Sequence, residues 1–94
     1  MLTIVAKNFV KPSEKARFVI AAKELIECSK KEEGCIAYDL YEDTRNENVL
    51  TFIECWQDKK AIDLHNKSEH FTRIVPQLGE FQAEASEISV YSKL

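Results

Sequence analysis

The sequence predicts an α+β fold, in which two helical regions lie on one face of a four-stranded antiparallel sheet. Stretches rich in β-branched and aromatic residues alternate with amphipathic stretches in the order β-α-β-β-α-β. Right-handed crossovers place both helical regions on the same side of such a sheet. Only two glycines and two prolines occur among the 94 residues, which leaves little room for long loops. We therefore expect a single domain over residues 1–94.

The first part of the chain predicts a strand, a long helix and a second strand. Leu2–Val10 is β-branched and aromatic with mild alternation, which is typical of a strand. Ser13 is a good N-cap for a helix over 14–33, where apolar residues recur at helical spacing. Gly34 stands where a C′ glycine would end that helix. A second strand is predicted at 35–42.

The second strand should form a hairpin with the third. Residues 43–48 have the composition of a turn, and the apolar run at 49–56 predicts the third strand. The last strand, predicted at 83–92, is more polar than the others.

The second helical region is predicted to be split in two. Asp58 can cap a first segment, and the polar run at 66–68 interrupts it. Ser68 can then cap a second segment. Pro76 removes one helical hydrogen bond, so that segment should kink or stop early.

Apolar residues on both faces of the strands predict a homodimer. The first strand carries Leu2, Ile4 and Ala6 on one face and Val5 and Phe9 on the other. The helices can cover only one of these faces, so a second copy of the chain is expected to cover the other.

Composition excludes several classes of protein. The net charge of -3 gives no basis for nucleic-acid binding. No apolar run is long enough for a membrane span, and the N-terminal residues do not resemble a signal peptide. Cys28, Cys35 and Cys55 have no paired spacing, which favours buried thiols in a reducing cytoplasm and gives no zinc cluster.

The stretch from Cys55 to Phe71 holds the only tryptophan, Trp56, and both histidines. His65 shares the inner face of its helix with apolar residues, so it is either a general base or a core residue. Over unbroken helix His70 would lie about 140° away from His65, and only the break could bring them together. His70 is otherwise a surface or capping residue, and two histidines without a third ligand do not indicate a metal.

Four further polar or aromatic residues are candidates for a site. Asn8 lies on the face shared by the inner residues of the first strand, where its amide could orient a substrate oxygen. Tyr38 and Glu54 lie on central strands and could line a cavity or be structural. Trp56 is more typical of a core residue than of a substrate platform.

The segments "EEGCIAYDLYED" (32–43), "FIECWQDKKAIDLH" (52–65) and "SEHF" (68–71) resemble the antibiotic biosynthesis monooxygenase domain family. This resemblance implies a ferredoxin-like unit that dimerises sheet to sheet into an α+β barrel. It also implies a mainly apolar cavity between the helices and the sheet. The best-studied members oxygenate phenols, anthrones or quinols without flavin or metal.

The resemblance therefore implies a cofactor-independent monooxygenase acting on a quinol-like substrate and dioxygen. We predict His65 and Asn8 as catalytic residues, and a substrate-binding set of Tyr38, Glu54, Trp56, His70 and Phe71. A non-redox isomerase or lyase and a pure binding protein remain alternatives. Haem degradation is disfavoured, because the haem-degrading relatives have a Trp in place of His65 and the haem-ligating His in place of Val75.

Overall fold

A computed structural model describes all residues, 1–94, and confirms the α+β class. A four-stranded antiparallel sheet has the strand order β2-β3-β1-β4, and three α-helices pack on it in a ferredoxin-like arrangement. The elements are β1 (Leu2–Val10), a 3₁₀ turn (Pro12–Glu14), α1 (Lys15–Lys30), β2 (Cys35–Asp43), β3 (Asn46–Trp56), α2 (Lys59–Asn66), α3 (Glu69–Glu80) and β4 (Gln82–Ser92).

The central strand β1 fixes which residues meet beneath the helices. It pairs with β3 so that Ile4 lies opposite Glu54 and Asn8 lies opposite Leu50. The even-numbered residues of β1 from Ile4 to Val10 are all buried under the helices. Because side chains alternate along a strand, this register places inner residues of β1 and β3 side by side on the helix face of the sheet. The buried core consists of Ile4, Ala6, Val10, Phe18, Ala22, Leu25, Tyr38, Leu50, Phe52, Trp56, Ala61, Ile62, Ile74 and Leu78.

The predicted caps of the split helical region are confirmed. The Asp58 side chain accepts a hydrogen bond from the Ala61 N–H at 2.9 Å, and Ser68 Oγ accepts one from the Phe71 N–H at 3.2 Å. Each satisfies a backbone donor that the helix itself leaves unpaired. The chain therefore breaks between α2 and α3, as the polar run predicts.

The predicted ends of the first helix are wrong. Ser13 lies inside the 3₁₀ turn and does not cap α1, whose N-cap position is Glu14. The helix ends at Lys30, and Gly34 has no positive φ, so it is not a left-handed C′ glycine. Gly34 is instead required by close packing, because a Cβ built on it would lie 2.3 Å from the Ala61 Cβ.

Four other boundaries differ from the prediction. β2 ends at Asp43 and β3 begins at Asn46, so the turn between them has two residues rather than six. The strands are longer than predicted because backbone pairing continues through polar residues. α3 continues past Pro76 to Glu80, so the early stop is wrong. β4 begins at Gln82, one residue earlier than predicted.

The face of the sheet opposite the helices has no cover within the chain. Val5 and Phe9 of β1 are half-buried there, and Ile53 of β3 and Tyr91 of β4 are exposed. The cysteines are half-buried rather than buried as predicted, and burial raises the pKa of Cys35 to about 11, so its thiol is not activated. None of the helices combines the length and the apolar character that crossing a membrane requires.

Candidate active site

A cavity of about 260 Å³ lies between the helices and the inner face of the sheet. All four strands and all three α-helices contribute to its wall, and 11 of the 17 lining residues are hydrophobic. An apolar cavity of about 150 Å³ is enough to bind benzene, so this one suits a molecule of one or two rings. The polar lining residues are Asn8, Glu54, His65, Asn66, Gln82 and Ser86.

The cavity opens along the edge strand β4. Ile88 and Val90 line it from the helix side of that strand, opposite Ala6 and Ile4 of β1. These two side chains are 65% and 56% exposed, so the cavity is open to solvent along β4. Asn66 at the end of α2, another lining residue, is exposed as well.

His65 is held at one end of the cavity by three aromatic rings. Its ring centroid lies 4.5 Å from that of Trp56, 5.0 Å from that of Phe71 and 5.5 Å from that of Tyr38. The residue is 1% exposed. Trp56 is fully buried and does not line the cavity, so it packs against the imidazole from within the core.

A carboxylate that the sequence prediction missed joins the two histidines. Glu32 Oε2 lies 2.6 Å from His65 Nδ1 and 2.8 Å from His70 Nε2. Glu32 follows α1, and the break between α2 and α3 places the two imidazole rings 5.9 Å apart. His70 does not line the cavity; it is bound to the same carboxylate oxygen as His65.

The ionisation of His65 follows from its surroundings. Burial lowers its pKa below the ordinary value of 6.5, and the hydrogen bond to Glu32 opposes that shift only in part. The imidazole is therefore neutral at pH 7. Because a carboxylate only accepts hydrogen bonds, Nδ1 carries the hydrogen and Nε2 is left as an acceptor. That Nε2 atom is buried and has no hydrogen-bond partner.

Glu54 is a second titratable group in the cavity wall. Its carboxylate accepts a hydrogen bond from Trp56 Nε1 at 2.9 Å, and the residue is buried. Burial raises the pKa of Glu54 to about 7, although hydrogen bonds from Trp56 and Tyr38 oppose the change. Burial, reinforced by the charge of Glu54, also raises the pKa of Tyr38, so that phenol stays protonated.

Asn8 also lines the cavity, four residues beyond Ile4 and about 13 Å from it along β1. Its amide donates to the carbonyls of Ala6 at 3.1 Å and Leu50 at 3.0 Å, and its oxygen accepts from Ser86 at 2.7 Å. Both amide protons are thus engaged with the protein. These bonds favour a role for Asn8 in holding β1 against its neighbours at the irregular pairing with β4.

The structure brings five of the seven predicted site residues to the cavity wall: Asn8, Tyr38, Glu54, His65 and Phe71. Trp56 and His70 contact His65 or its carboxylate partner from outside the cavity. Sequence reasoning missed Glu32, Asn66, Gln82 and Ser86. The position of Glu32 at the start of the E-x-G-C segment was the signal in the sequence that could have pointed to it. The sequence of β4 contains no comparable motif.

Glu32, His65 and His70 are also residue types that commonly ligate metal ions. Their potential ligand atoms lie within 4.8 Å of one another, and Glu32 supplies the third group that sequence spacing did not predict. However, one oxygen lies 2.6 and 2.8 Å from the two nitrogens, distances typical of charge-assisted hydrogen bonds. An ion held ~2.0–2.1 Å from each nitrogen would have to displace these bonds. As placed, the three side chains are hydrogen-bonded to one another.

A ferredoxin-like domain with a mainly apolar cavity and one carboxylate-bound imidazole in its wall defines a class of small α+β proteins that bind small molecules. The family model described as "Antibiotic biosynthesis monooxygenase" matches residues 1–77. The chain belongs to the antibiotic biosynthesis monooxygenase family.

The chain is also similar to curated proteins and to solved structures. "Putative monooxygenase YcnE" of Bacillus subtilis is 36% identical over 75 residues, which is 80% of this chain and 79% of that protein. "Uncharacterized protein sll1783" of Synechocystis sp. is 36% identical over 94% of this chain, which spans only 60% of that protein's length. A conserved protein from Methanosarcina mazei Go1 superposes with a TM-score of 0.98 at 42% identity, covering 99% of this chain and 92% of that one.

Proposed function

We propose that this chain is a cofactor-independent monooxygenase of a small aromatic or quinol-like molecule. One observation carries the proposal: the buried Nε2 of His65, a cavity-lining residue, has no partner, while Nδ1 is bound to a carboxylate. A neutral imidazole with one free nitrogen is a proton acceptor. The cavity volume supports a substrate of one or two rings.

The chemistry asks little of the protein beyond removing a proton and excluding water. His65 Nε2 takes the proton of a hydroquinone hydroxyl, the O–H bond breaks, and the substrate becomes an electron-rich anion. The anion reduces dioxygen directly, so no flavin or metal is required. One oxygen atom enters the ring and the other leaves as water, which converts the hydroquinone to a hydroxyquinone. The apolar wall keeps water from the anion, which strengthens each polar contact made with it.

Glu54 supports a second candidate function. A carboxyl group with a pKa of about 7 exchanges protons readily near neutrality, and it lines the same cavity as His65. Two such groups could move a proton between neighbouring atoms of an oxygenated metabolite. This isomerase or lyase would consume no dioxygen, and a protein that only binds the metabolite would show no turnover.

We also propose that the functional unit is a homodimer packed sheet to sheet. The outer face of the sheet supports this, since Val5 and Phe9 lie there with the exposed Ile53 and Tyr91. A stable interface commonly buries ~800 Å² on each partner. Haem degradation has no support, because Val75 lines the cavity and cannot ligate iron.

Oxygen uptake tests the proposed function. Purified protein is mixed with benzohydroquinone or naphthohydroquinone in an oxygen electrode, and protein-free autoxidation is subtracted. Uptake should depend on the protein, and His65→Gln should lower it by ~10²–10⁴-fold, because glutamine cannot act as a base near neutrality. Full activity in His65→Gln would show that the imidazole is only part of the cavity wall.

A further inference from the structure

The contacts of Glu32 run from the core to the surface. Its Oε2 receives hydrogen bonds from His65, whose side chain is 1% exposed, and from His70, whose side chain is 15% exposed. Glu32 itself is 18% exposed and makes no other side-chain hydrogen bond or ion pair. A single oxygen therefore connects the buried imidazole to a second imidazole near solvent.

We propose that Glu32 is the positioning residue of His65, and that His70 holds Glu32 in the orientation this requires. The catalytic part of the proposal rests on the proposed function. Glu32 does not contact the cavity, so it acts only through His65. His70, predicted from sequence as a substrate-binding residue, is given a different role here.

The shared oxygen dictates opposite tautomers for the two histidines. His65 must carry its hydrogen on Nδ1 and His70 must carry its hydrogen on Nε2, since each donates to the same acceptor. Free imidazole side chains prefer the Nε2–H form. Without Glu32, His65 would place a hydrogen on the nitrogen that the substrate needs as an acceptor. With Glu32, the imidazolium formed by proton transfer also lies directly against a carboxylate.

Of the titratable groups around His65, Glu32 is the one that should control the pKa of the imidazole. They are Tyr38 on β2, Glu54 on β3, His70 on α3 and Glu32 after α1. Only Glu32 is hydrogen-bonded to the imidazole. Glu32 raises the pKa of His65 against the stronger lowering by burial, so its removal should lower that pKa further.

Nitrogen-15 NMR tests the tautomers without any substrate. Because the chain has only two histidines, long-range proton–nitrogen spectra of uniformly labelled protein resolve both rings, and His70→Gln assigns them. We expect the Nδ1–H form for His65 and the Nε2–H form for His70 at pH 7.5. The Nε2–H form at both residues overturns the proposal, and so does a stoichiometric metal ion in the purified protein. This measurement on the unmodified chain does not depend on any variant folding.

Glu32→Gln and Glu33→Gln form a matched pair, since both remove one charge and Glu33 is exposed. Glu32→Gln should weaken the Nδ1–H preference of His65, lower kcat/KM on naphthohydroquinone at least about tenfold, and move the acidic limb of the pH profile to lower pH. Glu33→Gln should change none of these. Equal effects of both substitutions, or an unchanged limb in Glu32→Gln, would refute the positioning role. If the tautomers are as expected but no quinol consumes dioxygen, the positioning of His65 stands and the oxygenase proposal fails.

Discussion

Glu54 should make this protein less stable as the pH rises through the weakly acidic range. The ordinary pKa of a glutamate is 4.5, and burial raises that of Glu54 to about 7. Between these two values the unfolded chain loses the Glu54 proton while the folded chain keeps it. The unfolded state then binds fewer protons, so the free energy of unfolding falls with increasing pH. This is the reverse of the usual behaviour of a paired carboxylate.

The magnitude follows from the displacement of the pKa. A rise from 4.5 to about 7 corresponds, at ~1.4 kcal/mol per pH unit, to about 3 kcal/mol. Glu54→Gln removes the titration, while its amide oxygen can still accept the hydrogen bond from Trp56 Nε1. Relative to the parent chain, Glu54→Gln should gain up to about 3 kcal/mol between pH 4.5 and pH 7.5.

Urea unfolding at pH 4.5, 5.5, 6.5 and 7.5 measures this difference, with both chains at one protein concentration so that they are compared under the same conditions of association. Glu47→Gln is the matched control, because Glu47 lies on the same strand β3 but is exposed. Its effect should be nearly independent of pH. A difference for Glu54→Gln that stays constant, or that shrinks as the pH rises, would refute the reasoning that burial controls this carboxyl.

The other predictions concern packing, capping and association. Gly34→Ala should cost ~1–3 kcal/mol in urea unfolding because its Cβ would meet that of Ala61, whereas Gly79→Ala, with nothing within 4 Å, should be neutral or stabilising by under ~1 kcal/mol. Equal effects of the two would contradict the packing argument. Ser68→Ala should lower the free energy of unfolding by ~1 kcal/mol through loss of the bond to the Phe71 N–H, and an unchanged unfolding midpoint would count against the cap. Light scattering at micromolar concentration should give twice the chain mass of 10.8 kDa, and a compact monomer would rule out the proposed dimer.

Local chemistry made much of the fold predictable. Alternation along β1 placed Ile4, Ala6 and Asn8 on one face, and the caps Asp58 and Ser68 located the break between α2 and α3. These features depend on neighbours a few residues apart. Helix ends were harder, because the end of α1 depends on the turn that joins it to β2. Gly34 illustrates this, since its requirement comes from Ala61 on another element.

The candidate site was less predictable, because its key contacts are distant in sequence. Glu32 meets His65 and His70 across 33 and 38 residues, and no periodicity encodes such contacts. The sequence placed Asn8 on the correct face, but it did not show that both amide protons are bonded to backbone carbonyls. The raised pKa of Glu54 was also not predictable from sequence, because its main cause is burial of the side chain and not a neighbouring charge.

The position of the cavity opening has a kinetic consequence. Two of its exposed lining residues, Ile88 and Val90, lie on a hydrogen-bonded strand and not in a long loop or a hinge. A small guest that enters beside this strand need not wait for a backbone rearrangement, so its arrival should follow simple bimolecular kinetics. Departure should likewise be limited by loss of contact with the apolar wall and not by a separate opening step. Residence time at this site should therefore lengthen with the hydrophobic area of the guest.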